Sequence, residues 1–389
     1  MQQVVKNRRG RPPKDAQPRD LIRRALRMEI EEGKFGPEGR LPTRVELMRR
    51  FGVTSNTMNV VLRCLKRDGF IRVAGCNGTF VSERPPYLCR YGIVFRGNPN
   101  GLVPRDWSNY WTLIEQEARS IGLQRHLDVV SYYGITRHID EPDYQRLVQD
   151  AADGRLAGIF SVYPQGNDFS YNFPFFKGPK AAVSESVPAH AFVLDNDRWG
   201  MVEKAARHFA ARGRRRVAWI GEGQHEGLRA RLRELRINGQ SAAELFPDDI
   251  AVTLNASSRE SAEPIVRLLL RQTPAYRPDG LLVMDDHLIT PALRGLTESR
   301  VQIPDDLDIV SHCNYPAVPS SPYPIRWLGF DATDLVSRTF DFMQEGWAMK
   351  RDETGRTAKE AGPLHLLPAL WDEEWKAKTP ALLEDDAVA

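Results

Sequence analysis

The chain contains 389 residues, carries a formal net charge of +3, and has 27% charged residues. This length allows two or three domains. No apolar run approaches the ~18 residues of a membrane-spanning helix, so the sequence predicts no membrane span. The four cysteines form no C-x-x-C pair and no zinc-ligand pattern: Cys64, Cys76, Cys89 and Cys313. This usage favours a reduced, cytoplasmic protein without a metal site or cofactor.

The charge is divided unevenly along the chain. Residues 1–84 hold 19 Lys and Arg against 9 Asp and Glu, whereas the remaining residues hold 35 basic and 42 acidic side chains. A basic amino-terminal part suits a polyanion, and an acidic remainder does not. We therefore expect DNA contacts near the amino terminus, with phosphates supplying much of the affinity.

Residues 1–17 are predicted to be a disordered basic arm, because residues 6–14 offer no aliphatic or aromatic side chain for burial. The run RGRP at 9–12 resembles the core of an AT-hook, whose two arginines enter the narrow minor groove of A·T-rich DNA. We expect either this contact by Arg9 and Arg11 or a non-specific basic arm. No apolar segment follows, so no secretory or mitochondrial signal is predicted.

Residues 41–81 predict two short helices, a glycine turn between them, and a hairpin. A capping box, in which Thr43 and Glu46 exchange hydrogen bonds, predicts the start of the first helix. Gly52 supplies the turn because glycine adopts positive φ without strain, and Thr54 caps the second helix. These signals together predict a winged helix-turn-helix, which fits one helix into the DNA major groove.

The second helix has two different faces. An apolar stripe at helical spacing predicts its buried face: Met58, Val61, Leu62 and Leu65. The other face is small and polar at first and basic further along, as base edges and phosphates require. Strands at 70–73 and 79–81 flank a Gly75–Gly78 turn and predict a wing. The candidate DNA contacts are Thr43, Arg44, Thr54, Ser55, Asn56, Thr57, Asn59, Arg63, Lys66 and Asn77.

This region, the predicted domain 18–84, resembles the amino-terminal domain of the GntR family of bacterial transcription regulators. Four motifs carry the resemblance in order: LPTRVEL (41–47), FGVTSNTM (51–58), LKRDGFI (65–71) and GCNGTFV (75–81). The resemblance implies DNA binding. Family members often carry Arg where this chain has Val45, Ser55 and Asn59, so a different operator is expected. The alternative is a winged helix that serves protein contacts only.

Beyond a stiff linker predicted at 85–88, strand-like and helical runs alternate through residues 89–373. Near-continuous apolar strands in this order predict an α/β body with parallel sheets covered on both faces. The number of strands suggests two sheets, hence two lobes with a ligand cleft at the carboxyl ends of the strands. The remaining residues, 374–389, are expected to form a disordered acidic tail. Predicted strands are 91–95, 127–131, 156–162, 180–183, 217–221, 250–254, 280–284 and 307–311; predicted helices are 109–122, 142–153, 197–212, 227–237, 259–272 and 288–298.

Three stretches of this body resemble the sensor domains of the LacI/GalR family. They are FVLDND (192–197) with the helix and strand up to Ala218, PDGLLVMDD (278–286) with Ala292-Leu293, and IPDDLDIV (303–310). The resemblance implies a two-lobed, periplasmic-binding-protein-like type I sensor that binds a small molecule. A GntR-type head on a LacI-type body is a known arrangement of regulators.

The resemblance also implies a ligand pocket between the lobes. Its candidate residues are Phe95, Tyr110, Trp111, Arg229, Asp285, Asp286 and Asn314. Aromatic faces pack against the CH faces of sugar rings. The alternatives are that Tyr110 or Trp111 belongs to the core and that Asp286 caps a helix. Where the family carries a ligand-binding Asp, this chain has Cys313, and Asn314 can accept and donate in its place.

The sequence thus predicts a ligand-responsive, dimeric repressor of a double-stranded DNA operator, with a sugar-like effector. One alternative is a degenerate pocket on a body that serves dimerisation or protein contacts. A remote alternative is a pyridoxal-phosphate enzyme fused to the DNA-binding domain, although no convincing Ser-x-x-Lys stretch is present. Motifs of zinc proteases, serine hydrolases and P-loop proteins are missing, so no enzyme is expected.

Overall fold

The computed structural model describes most of the chain. The described residues are 17–35, 39–99, 107–135, 142–162, 173, 176, 178–184, 192–222, 226–254, 256–297, 299–351 and 364–379. The candidate contacts Arg9 and Arg11, like most of the predicted arm, lie outside this part of the chain. None of the helices among these residues is long and apolar enough to cross a membrane.

The amino-terminal part is a winged helix-turn-helix, as predicted. Thr43 Oγ1 accepts from the Glu46 amide, and Glu46 Oε2 accepts from the Thr43 amide at 2.7 Å, completing the capping box. Gly52 has φ +65° at the turn, and Thr54 accepts from the Thr57 amide. The elements are α1 (Pro18–Glu31), α2 (Arg44–Phe51), α3 (Ser55–Arg67), β1 (Ile71–Val73) and β2 (Thr79–Val81).

The wing closes through a longer loop than a two-residue hairpin. β1 and β2 pair in antiparallel register, with Val73 opposite Thr79. Positive φ falls on Gly75 and Gly78 rather than on Asn77, because a short 3-10 turn at Gly75–Asn77 occupies the loop. The wing is therefore where the sequence predicts it, with a different turn geometry from the Asn-Gly type.

The segment 85–88, which the sequence presents as a stiff linker, forms part of a buried helical turn, α4 (Pro86–Cys89). Pro86 and Tyr87 are buried, and Tyr87 packs in the same hydrophobic core as Leu26 and Phe70. The Tyr87 hydroxyl lies 3.4 Å from the Ile30 carbonyl. This segment therefore packs with the winged helix instead of spanning solvent.

Two six-stranded sheets build the body and confirm the predicted α/β class. The first has the order β15-β7-β6-β5-β3-β4 and is parallel throughout. Helices α5, α6 and α11 belong to this first lobe. The elements are β3 (Arg90–Phe95), α5 (Asn109–Gln124), β4 (Asp128–Tyr132), α6 (Pro142–Ala152), β5 (Gly158–Val162), β6 (Lys180–Val183), β7 (Phe192–Asn196), α11 (Ala332–Arg351) and β15 (His365–Leu367).

The second sheet has the order β11-β8-β12-β13-β14-β16, and only its edge strand β16 is antiparallel. A two-stranded hairpin, β9 with β10, joins this second lobe. The elements are α7 (Arg198–Ala211), β8 (Val217–Glu222), α8 (Glu226–Glu234), β9 (Arg236–Ile237), β10 (Gln240–Ser241), β11 (Ala251–Leu254), α9 (Ala262–Leu270), β12 (Gly280–Val283), α10 (Asp286–Arg294), β13 (Asp308–Tyr315), β14 (Arg326–Asp331), β16 (Leu370–Trp371) and α12 (Asp372–Lys378).

The chain crosses between the lobes after β7, after β14 and after β15. Each crossing leaves from the carboxyl end of a strand, and two of them touch, because the Asp197 amide donates to the Leu367 carbonyl at 2.9 Å. The carboxyl edges of both sheets therefore flank the crossings, where the sequence predicts the cleft.

The start of the predicted acidic tail is ordered. Trp375 in α12 is buried and stacks on Tyr315 with ring centroids 4.8 Å apart. Trp375 thus anchors residues 374–379 on the second lobe, and residues 380–389 lie outside the described part of the chain.

Gly329 in the second sheet lies too close to the neighbouring strand for a larger residue to fit. A Cβ at Gly329 would lie 1.9 Å from the Cys313 carbonyl oxygen on the neighbouring strand, whereas a Cβ at Gly227 would meet nothing within 4 Å. Gly329→Ala should lower the free energy of unfolding by about 1–3 kcal/mol or more. The matched Gly227→Ala should raise it by roughly 0.5–1 kcal/mol. Denaturant unfolding followed by tryptophan fluorescence checks both, and a Gly329→Ala variant as stable as the parent would contradict the packing.

Candidate DNA-binding and ligand-binding sites

The predicted DNA face is accessible. Every described candidate on the winged helix is exposed or half-buried, and the apolar stripe of α3 faces the core through Met58, Val61 and Leu65. Thr43 and Thr54 cap the amino termini of α2 and α3, where backbone amides favour phosphate oxygens. The two-faced character of α3 is confirmed, and the individual base and phosphate contacts stay predictions.

A contact across the helix-turn-helix was not evident from the sequence. Arg44 Nη1 donates to Asn59 Oδ1 at 3.2 Å, joining the start of α2 to the middle of α3. The bond orients the Asn59 amide, whose Nδ2 group can donate to a base edge. Only the folded turn brings these residues together, since they are 15 positions apart.

Aromatic side chains cluster at the carboxyl edge of the first sheet. Phe95 ends β3, and its ring centroid lies 5.0 Å from Trp107 and 5.8 Å from Tyr133. Trp111 meets Trp107 edge-on at 5.5 Å. Tyr110 and Trp111 are each only 7% exposed, so both sit in the core of the first lobe. Trp107 and Tyr133, neither of which the sequence predicts as a site residue, are the half-buried members of this cluster.

A buried amide lies at the first crossing. Asn196 ends β7, and its Nδ2 lies 3.4 Å from the Tyr110 hydroxyl. Its Oδ1 atom is buried and has no hydrogen-bond partner among the described residues. A buried amide oxygen of this kind is an acceptor that a ligand hydroxyl can satisfy.

A polar group occupies the carboxyl edge of the second sheet. Asn314 Nδ2 donates to Asp286 Oδ2 at 3.0 Å, and His287 Nδ1 lies 2.9 Å from Asp286 Oδ1. Burial opposes ionisation of Asp286, but the hydrogen bond from His287 and the charges of His312 and His287 lower its pKa to about 2. Asp286 is the first residue of α10 rather than its cap, which is Asp285.

The neighbours on β13 point to opposite faces, as alternate strand residues must. His312 and Asn314 share the face of Asp286, and burial lowers the pKa of His312 to about 4. Cys313 points the other way into a cluster with Tyr315 and Trp375, and burial raises its pKa to about 12. Cys313 therefore does not stand in for a ligand-binding acid, whereas His312, which the sequence reading missed, joins this polar group.

Arg229 requires a correction. It pairs with Asp248, which precedes β11, and lines a cavity of about 190 Å³ with Trp219 and Leu232. Asp248 lies toward the amino-terminal edge of the sheet, because β11 runs parallel to β8. Arg229 therefore lies on the flank of the second lobe. Its helix, α8, packs its apolar residues Leu228 and Leu232 into the core of that lobe.

Within the described residues, no group of three or more His, Cys, Asp or Glu is arranged to hold a metal ion. The carboxyl edges instead present aromatic rings from one lobe and hydrogen-bonding groups from the other. Such a combination suits a neutral, hydroxyl-bearing molecule with an apolar face.

Residues 18–81 match the family model of bacterial regulatory proteins of the gntR family. The amino-terminal domain is a GntR-type winged helix. Residues 206–343 match a periplasmic binding protein-like domain. The combination that the sequence resemblance predicts is confirmed.

A curated relative resembles most of the chain. The arabinose metabolism transcriptional repressor of Halalkalibacterium halodurans is 20% identical over 336 residues, covering 82% of this chain and 88% of the relative.

Solved LacI family regulators share the fold of the body. One from Arthrobacter sp. FB24 in complex with lactose has TM-score 0.53 and 14% identity, covering 73% of this chain and 97% of that chain. One from Lactobacillus casei with bound sucrose has TM-score 0.52 and 14% identity, covering 72% and 98%. Both are named as transcriptional regulators.

The polar group predicts a pH dependence of stability. The unfolded chain protonates His312 below its ordinary pKa of 6.5, but the folded chain does so only near pH 4. Stability is therefore lost as the pH falls from 6.5 toward 4. His312→Gln should lose less stability than the parent between pH 7 and pH 5, by about 1–2 kcal/mol. The exposed-site variant His365→Gln should keep the parent dependence; an unchanged dependence in His312→Gln would argue against a buried neutral imidazole.

Proposed function

We propose that this protein is a DNA-binding transcription repressor whose affinity for its operator is controlled by a small sugar-like molecule held between the two lobes. The observation that carries the proposal is the union, in one chain, of an exposed polar recognition helix and a two-lobed body with a polar and aromatic cleft. The name of the arabinose repressor relative and the sugars in the related LacI structures support this choice of effector class.

The DNA side of the proposal rests on α3 and the wing. Ser55 and Asn56 lie in the first turn of α3 and Asn59 about one turn further on, on the side where a recognition helix meets base edges. Arg63 and Lys66 lie further along the helix and suit phosphates. A homodimer would present two such helices to a pseudo-palindromic operator, and Arg9 and Arg11 of the arm would add minor-groove contacts.

The effector side combines an aromatic surface with acceptors. Trp107 supplies a ring for the apolar face of a sugar. Asn196 supplies a buried oxygen, and the ionised carboxylate of Asp286 accepts hydrogen bonds from hydroxyl groups while Asn314 holds it in place. This set replaces Trp111 and Arg229 as the favoured ligand contacts, because the former lies in the core and the latter on the flank.

Exchanging Asn59 for Ala tests base reading. Selection of duplexes from a random pool should recover a two-half-site sequence with the parent protein, and Asn59→Ala should relax one position per half-site at a cost of roughly 1–3 kcal/mol. The comparison variant Lys66→Ala should weaken all duplexes alike and reduce the salt dependence of binding. Recovery of the same profile by Asn59→Ala would remove Asn59 from the recognition surface.

Asp286 provides the matching test of the cleft. A panel of sugars and sugar acids, including arabinose, lactose and sucrose, should contain a molecule that raises the melting temperature by mass action. Asp286→Asn should weaken the binding of that molecule about tenfold or more, because hydrogen bonds to a charged group contribute ~1.5–3 kcal/mol. Asp248→Asn, which disturbs only the flank pair with Arg229, should leave the shift unchanged. Equal shifts in all three proteins would exclude the cleft as the binding site.

A further inference from the structure

Four charged residues join the winged helix to the first lobe. Arg27 in α1 donates to Asp153 at 2.7 Å, and Arg155 donates to Asp68, which ends α3, at 3.0 Å. Arg155 also lies 3.1 Å from Asp153, so the two pairs form one connected group. Arg27 and Asp68 belong to the winged helix, whereas Asp153 and Arg155 follow α6 in the body. We call these four residues the docking cluster.

Three of the four side chains of the docking cluster are buried, and Arg155 is half-buried. The side chains of Arg27, Asp68 and Asp153 are 4%, 5% and 8% exposed. Burial opposes ionisation of Asp153, but Arg27 and Arg23 keep its pKa below the ordinary value. Removing one partner of such a group leaves an uncompensated buried charge, which is strongly unfavourable.

The surrounding surfaces fit closely. Gly154 has φ +62°, a conformation that strains other residues, and it lies against α1: a Cβ there would lie 2.2 Å from Glu31 Oε1, so the Glu31 side chain would have to move. On the connecting segment, Arg84 donates to the His126 carbonyl of the body. Tyr87, which follows it, is buried in the core of the winged helix. The connection between the two domains therefore has little slack.

We propose that the docking cluster holds the winged helix in one orientation on the first lobe, so that the lobes set the distance between the two DNA-binding domains of a dimer. The spacing of the DNA-binding domains rests on the proposed function, whereas the docking of the winged helix on the first lobe does not. It differs from a tethered arrangement, in which flexible linkers let the DNA-binding domains adapt to any half-site spacing.

The position of α6 suits transmission from the cleft. Asp143, in the first turn of α6, accepts from the amide of Tyr133, a member of the aromatic cluster, at 2.8 Å. The carboxyl end of the same helix leads into Asp153 of the docking cluster. A ligand that displaces the aromatic cluster would therefore shift the element that carries the winged helix.

Two optical probes test the docking in the full chain. All eight tryptophans lie at position 107 or later, so their fluorescence reports on the body, whereas helical circular dichroism reports on both domains. The two thermal transitions should coincide in the parent. Arg27→Met and Asp153→Asn should each split them, with circular dichroism changing first. Asp341→Asn, which breaks the Arg125 pair within the first lobe, should not. Split transitions in the parent, or coincident ones in both docking variants, would overturn the proposal.

DNA spacing supplies the second arm. About five base pairs, half a helical turn, are added between the half-sites of the selected duplex. This insertion should lower the affinity of the parent protein for the duplex by at least about tenfold, because the second half-site rotates away. The Arg27→Met variant should lose less than about threefold in affinity for the lengthened duplex, because its DNA-binding domains can reorient. Equal tolerance of the insertion by the parent would refute fixed docking. If no duplex is recovered, the proposed function fails, and the melting comparison still decides whether the domains are docked.

Discussion

The three chain crossings at the carboxyl edges of the two sheets constrain everything else in this body. They bring both edges to one cleft and connect the lobes close to Asn196, Asp331 and Leu367. Because buried polar groups need partners, the cleft can only be built from side chains that bond each other or await a ligand. Asp286 bonds to Asn314 and keeps acceptor lone pairs for a ligand, whereas the buried Asn196 oxygen has no partner among the described residues.

The two lobes bring different chemistry to this cleft. The first lobe contributes rings around Phe95 and Trp107, which are attracted to apolar faces but are indifferent to hydroxyl positions. The second contributes an ionised carboxylate held by Asn314 and His287, which is directional. A molecule that satisfies both favours the arrangement in which the lobes are close, and this differential affinity is what shifts a conformational equilibrium.

Local patterns made the fold predictable, whereas contacts between distant residues did not. The capping box at Thr43, the glycine at 52 and the α/β alternation depend on neighbours in sequence, so the winged helix and the two sheets were predicted. Asp153 and Arg27 are 126 positions apart, and no periodicity connects them. Local patterns also did not reveal that His312 lies beside Asp286 or that Arg229 pairs with Asp248, because which face a side chain joins depends on tertiary packing.

If the cleft and the recognition helix are energetically coupled, the sugar and the duplex must change each other's affinity by the same factor. Affinity of the full chain for its selected duplex should be measured with and without the panel sugar that raises the melting temperature most. We expect the sugar to weaken duplex binding by about 5–150-fold and the duplex to weaken sugar binding by the same factor. A sugar that binds the cleft and leaves duplex affinity unchanged would contradict this coupling.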